Sequence, residues 1–272
     1  MEDSKTLNRQ IRKVNSIMIV GGCNMNDSYY YYIIFPGLLI VMAILIPFFL
    51  KAEVPNPCKK SLIYKQTCST VFLINALVAG LIGDFTIYAA LMFIGLCCSW
   101  LGDYLLHVRQ DPGFFASGLI SFLVGHIFFT GAYCQAFKVL FPEQTLFSVK
   151  GLILFFVIVA AELLSLKFIA KISFGKMFVL CALYAATITE MAIKAFTLAI
   201  SLMKYPSLVE YPIFTGIMLM LGAVLFLFSD FTLSLLNFKD GVKKHGALRN
   251  ANIWTYFYAQ MFLGVTIFFI ST

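Results

Sequence analysis

Residues 212–238 read PIFTGIMLMLGAVLFLFSDFTLSLLNF. The run holds one ionisable side chain, Asp230, and shows no alternation of period two, so a strand does not fit it. A hydrocarbon core roughly 30 Å thick is crossed by about 20 helical residues, and this run is long enough. Lipid offers no hydrogen bonds, so the backbone must satisfy its own amides, and a helix does that within one segment.

Outward from this stretch, comparable runs fall at 29–50, 69–83, 85–107, 115–137, 151–170, 177–203 and 251–271. The fold class read from them is an all-α, polytopic transmembrane helical bundle of about eight spans. The run at 69–83 is short and almost loopless before the next, so seven spans is the alternative. Residues 1–28 read as a polar tail and 29–272 as a single transmembrane domain. A signal peptide is not expected, because the first 28 residues are mixed in character and apolar runs recur to the last residues.

Composition agrees with a lipid solvent. Of 272 residues, 61% are hydrophobic and only 12% charged, too few to cover a water-soluble domain. The net charge of +7 does not point to nucleic acid, since the basic residues are scattered between apolar runs without interleaved aromatics. Their distribution reports topology instead. The loops 51–68, 108–114, 171–176 and 239–250 hold Lys51, Lys59, Lys60, Lys65, Arg109, Lys171, Lys176, Lys239, Lys243, Lys244 and Arg249, against Lys138, Lys150 and Lys204 plus four basic residues of the distal N-terminal tail on the other face. The positive-inside rule makes the first face cytoplasmic and places both termini on the other side. Among the seven Cys, Cys97, Cys98, Cys134 and Cys181 lie within apolar runs and read as small buried residues. No metal-ligand spacing appears, and no cofactor is expected.

Each ionisable group near a bilayer centre costs about 2.5 to 3.5 kcal/mol, which makes it a functional candidate by default. The candidates are Asp103, His126, Glu162, Glu190, Lys194 and Asp230. Counted from the cytoplasmic face along a helix, Asp103 lies roughly 6 Å deep, Tyr256 roughly 8 Å, Asp230 roughly 12 Å and His126 roughly 16 Å. All four fall in one half of the bilayer, as a shared pocket requires. Asp230, Ser234 and Asn237 share one helix face, and Asn252, Tyr256 and Gln260 form a row on the last span. These stripes are expected to face each other or a water-filled cavity. Glu190 and Lys194, spaced i, i+4, read as a structural ion pair, whereas Glu162 has no evident partner. For His126 an interhelical hydrogen bond stands beside a functional role, and for the two aspartates a packing or proton-relay role stands beside catalysis.

Gly102-Asp103-Tyr104-Leu105-Leu106, followed by Phe115, Gly118, Phe122 and the Gly125-His126 pair, resembles the lysoplasmalogenase (YhhN-like) family of eight-helix membrane proteins. Phe228-Ser229-Asp230-Phe231-Thr232 resembles that family's Ser-Asp motif, and Thr255-Tyr256-Phe257-Tyr258-Ala259-Gln260 its last-span signature. The match is best over about 95–137 and 222–266, and three motifs in order are fairly specific. The Glu190 and Lys194 pair and the N-terminal tail depart from the pattern, so no family role carries to them. The resemblance implies catalytic Asp103 and Asp230, with His126, Tyr256, Gln260 and Tyr184 as substrate-binding or supporting residues. It also implies an endoplasmic reticulum membrane and a lysophospholipid substrate held within the bilayer.

The implied reaction is hydrolysis of the vinyl ether of a lysoplasmalogen to a fatty aldehyde plus glycerophosphocholine or glycerophosphoethanolamine. Enol ethers are hydrolysed through protonation at carbon and an oxocarbenium ion, which requires an acid and a base. Two carboxylates supply both, as they do in glycosidases. Asp230, the deeper by helix position, is expected to be the better desolvated and therefore the protonated partner. A zinc-dependent lipid amidase of the alkaline ceramidase type would need several embedded His, and only His126 is embedded, with His107 and His245 at or beyond span ends. A transporter or lipid-binding receptor with proton-relay carboxylates is the alternative from another class.

Overall fold

In the computed structural model the described residues are 25–54, 56–109, 111–146, 149–172, 174–239, 242 and 246–270. They form eight long helices and no strand. In chain order these are α1 Met25–Ala52, α2 Lys59–Ile82, α3 Ile87–Val108, α4 Pro112–Leu140, α5 Val149–Leu164, α6 Phe178–Lys204, α7 Pro212–Phe238 and α8 Ala247–Phe269. The protein is a polytopic helical bundle, in agreement with the apolar runs.

The helices α1 to α7 are long and apolar enough to cross a membrane, while α8 is long enough but more polar. Its position explains the difference. α8 packs against α1, α2, α3 and α7, so protein shields it from lipid. Its polar groups bond neighbouring helices instead: Asn252 to Ser229, Tyr256 to Asp103, and Thr266 Oγ1 to Tyr88 OH at 2.7 Å. Asn75 of α2 donates to the Met261 carbonyl at 3.1 Å and accepts from Tyr31 OH of α1 at 3.0 Å, which ties three helices at one buried point. By contrast, α5 packs on α6 and is largely exposed toward the lipid.

α2 differs most from the sequence reading. It starts at Lys59, ten residues before the expected 69, and with 24 residues it is itself long and apolar enough to span. Lys59, Lys60, Lys65 and Gln66 disguised its first half as a loop, yet Lys65 turns inward and is buried. A capping box closes the start, with the Cys58 backbone N–H donating to Ser61 Oγ at 2.9 Å. The turn into α3 is as tight as expected: Asp84 and Phe85 take φ of 64° and 45°, and the Phe85 ring lies on Gly80, where a Cβ would stand 2.6 Å away.

Of the expected polar tail at 1–28, residues 1–24 lie outside the described residues, and α1 begins at Met25, inside that stretch. His245, Lys243 and Lys244 also lie outside them. Cys97, Cys98, Cys134 and Cys181 are half-buried free thiols. The fifth span ends in a single π-helical turn, Ser165–Ile169, a rare element found most often at functional sites.

Candidate functional site

Close approach of α3 and α4 fixes the first carboxylate. A Cβ on Gly102 would meet the Phe122 ring at 2.6 Å, and one on Gly125 would meet the Gly95 carbonyl at 3.0 Å. Glycine at these positions lets the two helices touch, and Asp103, next to Gly102, is thereby driven into the centre of the bundle, 2% exposed. Its Oδ2 accepts from Ser69 Oγ at 2.6 Å and from Tyr256 OH at 2.7 Å, and its Oδ1 lies 3.2 Å from Lys65 Nζ. Every neighbour is a donor. The arrangement suits an ionised carboxylate, which only accepts.

The second carboxylate stands across Phe226. Asp230 Oδ2 accepts from Tyr184 OH at 2.6 Å, and the same hydroxyl lies 3.1 Å from His126 Nε2. His126 Nε2 is 3.8 Å from Asp230 Oδ2. The Phe226 ring packs between the clusters, 4.7 Å from the His126 ring and 5.7 Å from that of Tyr256. Gln260, one turn beyond Tyr256, is fully buried.

One feature of this arrangement departs from the sequence reading. Asp230 is not the better desolvated carboxylate: its side chain is 13% exposed against 3% for Asp103. Depth along a helix axis does not say which way a side chain points, and Asp230 points into a cavity. Of the two expected arrangements of the polar stripes, face to face or toward a cavity, the structure takes the second for Asp230, Ser234, Asn237 and Asn252. Asn252 reaches Ser229 of α7, Tyr256 turns to Asp103, and Asp230 turns to Tyr184 on α6.

Two neighbouring cavities divide Asp230, Ser234, Asn237 and Asn252, whereas Tyr256 and Gln260 line neither. One, of about 100 Å³, is mostly apolar and lies between α4, α5, α6 and α7, with Asp230, Tyr184, Ser234 and Glu162 among its lining and Leu166 of the π turn at its wall. The other, of about 200 Å³, is polar and is lined by Glu53, Lys65, His107, Asn237, Arg249 and Asn252, among others. Phe115 and Leu233 line both. Asp103 lines neither, and its ion-pair partner Lys65 lines the polar one.

The remaining candidates are structural in contact. Glu190 Oε1 and Lys194 Nζ form the expected pair at 3.1 Å, and Lys194 also donates to the Leu146 carbonyl at 3.4 Å. Glu162 has a partner after all, accepting from Thr189 Oγ1 at 3.0 Å. His107 is buried at the end of α3, 2.8 Å from Ser61 Oγ. Among the described residues no three His, Cys, Asp or Glu side chains converge as metal ligands.

Sequence reasoning missed Lys65, Ser69, Glu53 and the inward course of Arg249. In sequence Lys65 and Arg249 read as loop charges, yet Lys65 pairs with Asp103 and Arg249 with Glu53. The signal for Lys65 was present in its i, i+4 spacing from Ser69, which continues through Phe72 and Ala76 as one buried face of α2. With both removed from the count, the Lys and Arg excess on that face persists.

No curated protein and no solved structure matches the chain. A family model described as the YhhN family matches residues 62–267, from early α2 to the end of α8, and so spans both aspartates, Lys65 and both tyrosines. The chain belongs to the YhhN family of lysoplasmalogenase-like membrane proteins.

Proposed function

We propose that this protein hydrolyses the vinyl ether of lysoplasmalogens, with Asp230 as the acid and Asp103 as the ionised partner. One observation carries the reading: a tyrosine-bonded carboxyl, Asp230, stands at an apolar cavity whose walls Phe115 and Leu233 are shared with a polar one. A lysoplasmalogen has the same order along its length, with an alkyl chain, then the vinyl ether, then a polar glycerophosphate. Membership of the YhhN family supports a hydrolase of this kind in general terms.

The chemistry follows from the two environments. Protonated Asp230 gives its proton to the vinyl carbon β to the ether oxygen, and the electron pair of the double bond forms the new C–H bond. The resulting oxocarbenium ion is stabilised by the negative charge of Asp103, which Lys65, Ser69 and Tyr256 hold in its ionised form. Water adds to the α carbon and loses a proton toward Asp103 through the Tyr256 hydroxyl. The hemiacetal then breaks: its hydroxyl proton passes to Asp230, the glycerol oxygen takes the proton held at Asp103, and aldehyde and glycerophospholipid leave with both carboxyls reset. His126, Tyr184 and Gln260 are positioning residues in this scheme. We further assign the enzyme to the endoplasmic reticulum membrane and its activity to residues 29–272, on the family resemblance.

The test supplies lysoplasmenylethanolamine to the purified, folded protein in detergent and measures released aldehyde. Wild type is expected to release it, and Asp103→Asn and Asp230→Asn each to lose at least about a hundredfold in kcat/KM, the usual contribution of an acid or base. A folded wild type that releases no aldehyde overturns the reaction. Two Asn variants with full turnover overturn the site.

A further inference from the structure

Of the charged groups that line the polar cavity, the hydrolysis scheme uses only Lys65, as the counter-charge of Asp103 behind the wall, and leaves Arg249 and Glu53 without a role. Arg249 pairs with Glu53, which also lies 3.7 Å from His107 Nδ1, and Lys65 pairs with Asp103. Arg249, Lys65 and His107 are each under one-tenth exposed. Two buried cations, the half-buried carboxylate of Glu53 and, behind the cavity wall, the buried carboxylate of Asp103 are therefore gathered at one end of the bundle, where desolvation makes isolated charges expensive. They sum to zero. A net anion added to this cavity would leave unbalanced charge in a low-dielectric site, while a zwitterion adds a matching pair.

We propose, resting on the lysoplasmalogen reading above, that this cavity is the headgroup subsite and that it selects phosphoethanolamine over phosphocholine. Arg249 and Lys65 bind the phosphate. A guanidinium has five N–H donors and an ammonium three, so each keeps donors beyond its present carboxylate partner. Glu53 takes the terminal ammonium of the headgroup, together with Asn56 and Asn237. Asn237 donates its Nδ2 to the Leu233 carbonyl at 2.8 Å, which leaves its side-chain oxygen to accept.

The preference between headgroups follows from what lines the cavity. A primary ammonium has three N–H donors and fits a carboxylate and two amide oxygens. A trimethylammonium has none and is recognised by several aromatic faces at once. Besides the His107 imidazole, which packs on Phe49, only Phe49 and Phe115 are aromatic among the described lining residues, and both phenyl rings are engaged. Arg249 stacks over Phe49 at 5.7 Å, and Phe115 packs on Phe238 at 5.7 Å. No cage for a quaternary ammonium is formed.

Binding is measured on the full-length protein in detergent with lysolipids carrying a saturated alkyl ether, which has no vinyl group to protonate, so the readout is independent of turnover. The ethanolamine lysolipid is expected to bind about tenfold more tightly than the choline one, the difference of one charge-assisted hydrogen bond. Glu53→Gln is expected to remove that difference while choline lysolipid affinity is retained, which also reports that the variant is folded. If Glu53→Gln does not fold, the wild-type comparison alone decides. Equal affinity for the two headgroups overturns the proposal, as does equal binding of the alkylglycerol that lacks a phosphate. Inorganic phosphate binding as tightly as the ethanolamine lysolipid also overturns it, since the cavity is then a free-phosphate site. Aldehyde release from the vinyl ether substrate is measured in parallel. Headgroup-selective binding without aldehyde sinks the reaction and leaves the subsite standing, and aldehyde release without selectivity does the reverse.

Discussion

Lys65 Nζ lies 3.2 Å from Asp103 Oδ1, and both side chains are at least nine-tenths buried. This pair joins α2 to α3 and gives the most buried carboxylate of the core its counter-charge.

Removing the lysine should strand that charge. Lys65→Met is expected to destabilise the folded protein by about 3 kcal/mol, because one partner of a buried pair is left uncompensated. Adding Asp103→Asn to it should restore part of the loss. Unfolding in detergent of the two single variants and the double, read as a cycle, gives the coupling. Additive effects would mean that the pair contributes nothing to stability.

Tyr184 and Tyr133 should respond in opposite ways to loss of the hydroxyl. Tyr184→Phe removes a hydrogen bond that positions the Asp230 carboxyl, of the class that contributes about 0.5 to 1.5 kcal/mol, and kcat/KM should fall by about two- to tenfold. Tyr133 OH is buried and without a partner among the described residues, so Tyr133→Phe should leave activity unchanged and stability equal or slightly higher. Steady-state kinetics and thermal unfolding on both variants check this. Equal losses would show that the core responds only to packing.

Gly102 is predicted to be intolerant of a larger side chain. Its missing Cβ is the space occupied by the Phe122 ring, which is itself held 5.9 Å from the Tyr256 ring. Gly102→Val should destabilise by about 1 to 3 kcal/mol, the usual effect of overpacking, and should displace Asp103 beside it. Phe122→Leu in the same chain should recover stability. A stable, fully active Gly102→Val protein would show that α3 and α4 can separate without harm.

Cys58 offers a test of topology. It sits just outside the membrane span, exposed, and hydrogen bonds from the Ser61 backbone and then the Ser61 hydroxyl hold its thiol below the usual range. More thiolate is therefore present at neutral pH than for an ordinary cysteine, so alkylation should be fast near pH 7 and gain less as pH rises. A membrane-impermeant maleimide should label it from the cytoplasmic side, with Cys58→Ser as the control. Labelling only from the opposite side would invert the orientation.

The sequence by itself determined the solvent, the helical class and the residues worth following. An apolar run can satisfy its backbone only as a helix, and a carboxylate in lipid is conspicuous because it is expensive, so Asp103, Asp230 and the motifs around them stood out without coordinates. Lys65 and Arg249 did not. A charge near a span end looks the same in sequence whether it faces water or a buried partner, and only packing of α2 and α8 against the other helices decides which. The same limit misjudged Asp230, since position along a helix fixes depth and leaves azimuth free. The division of the polar stripes between an apolar and a polar cavity likewise exists only once eight helices share one volume. It is set by glycines, such as Gly102, that let backbones approach, and by rings, such as Phe122, that fill the space so made.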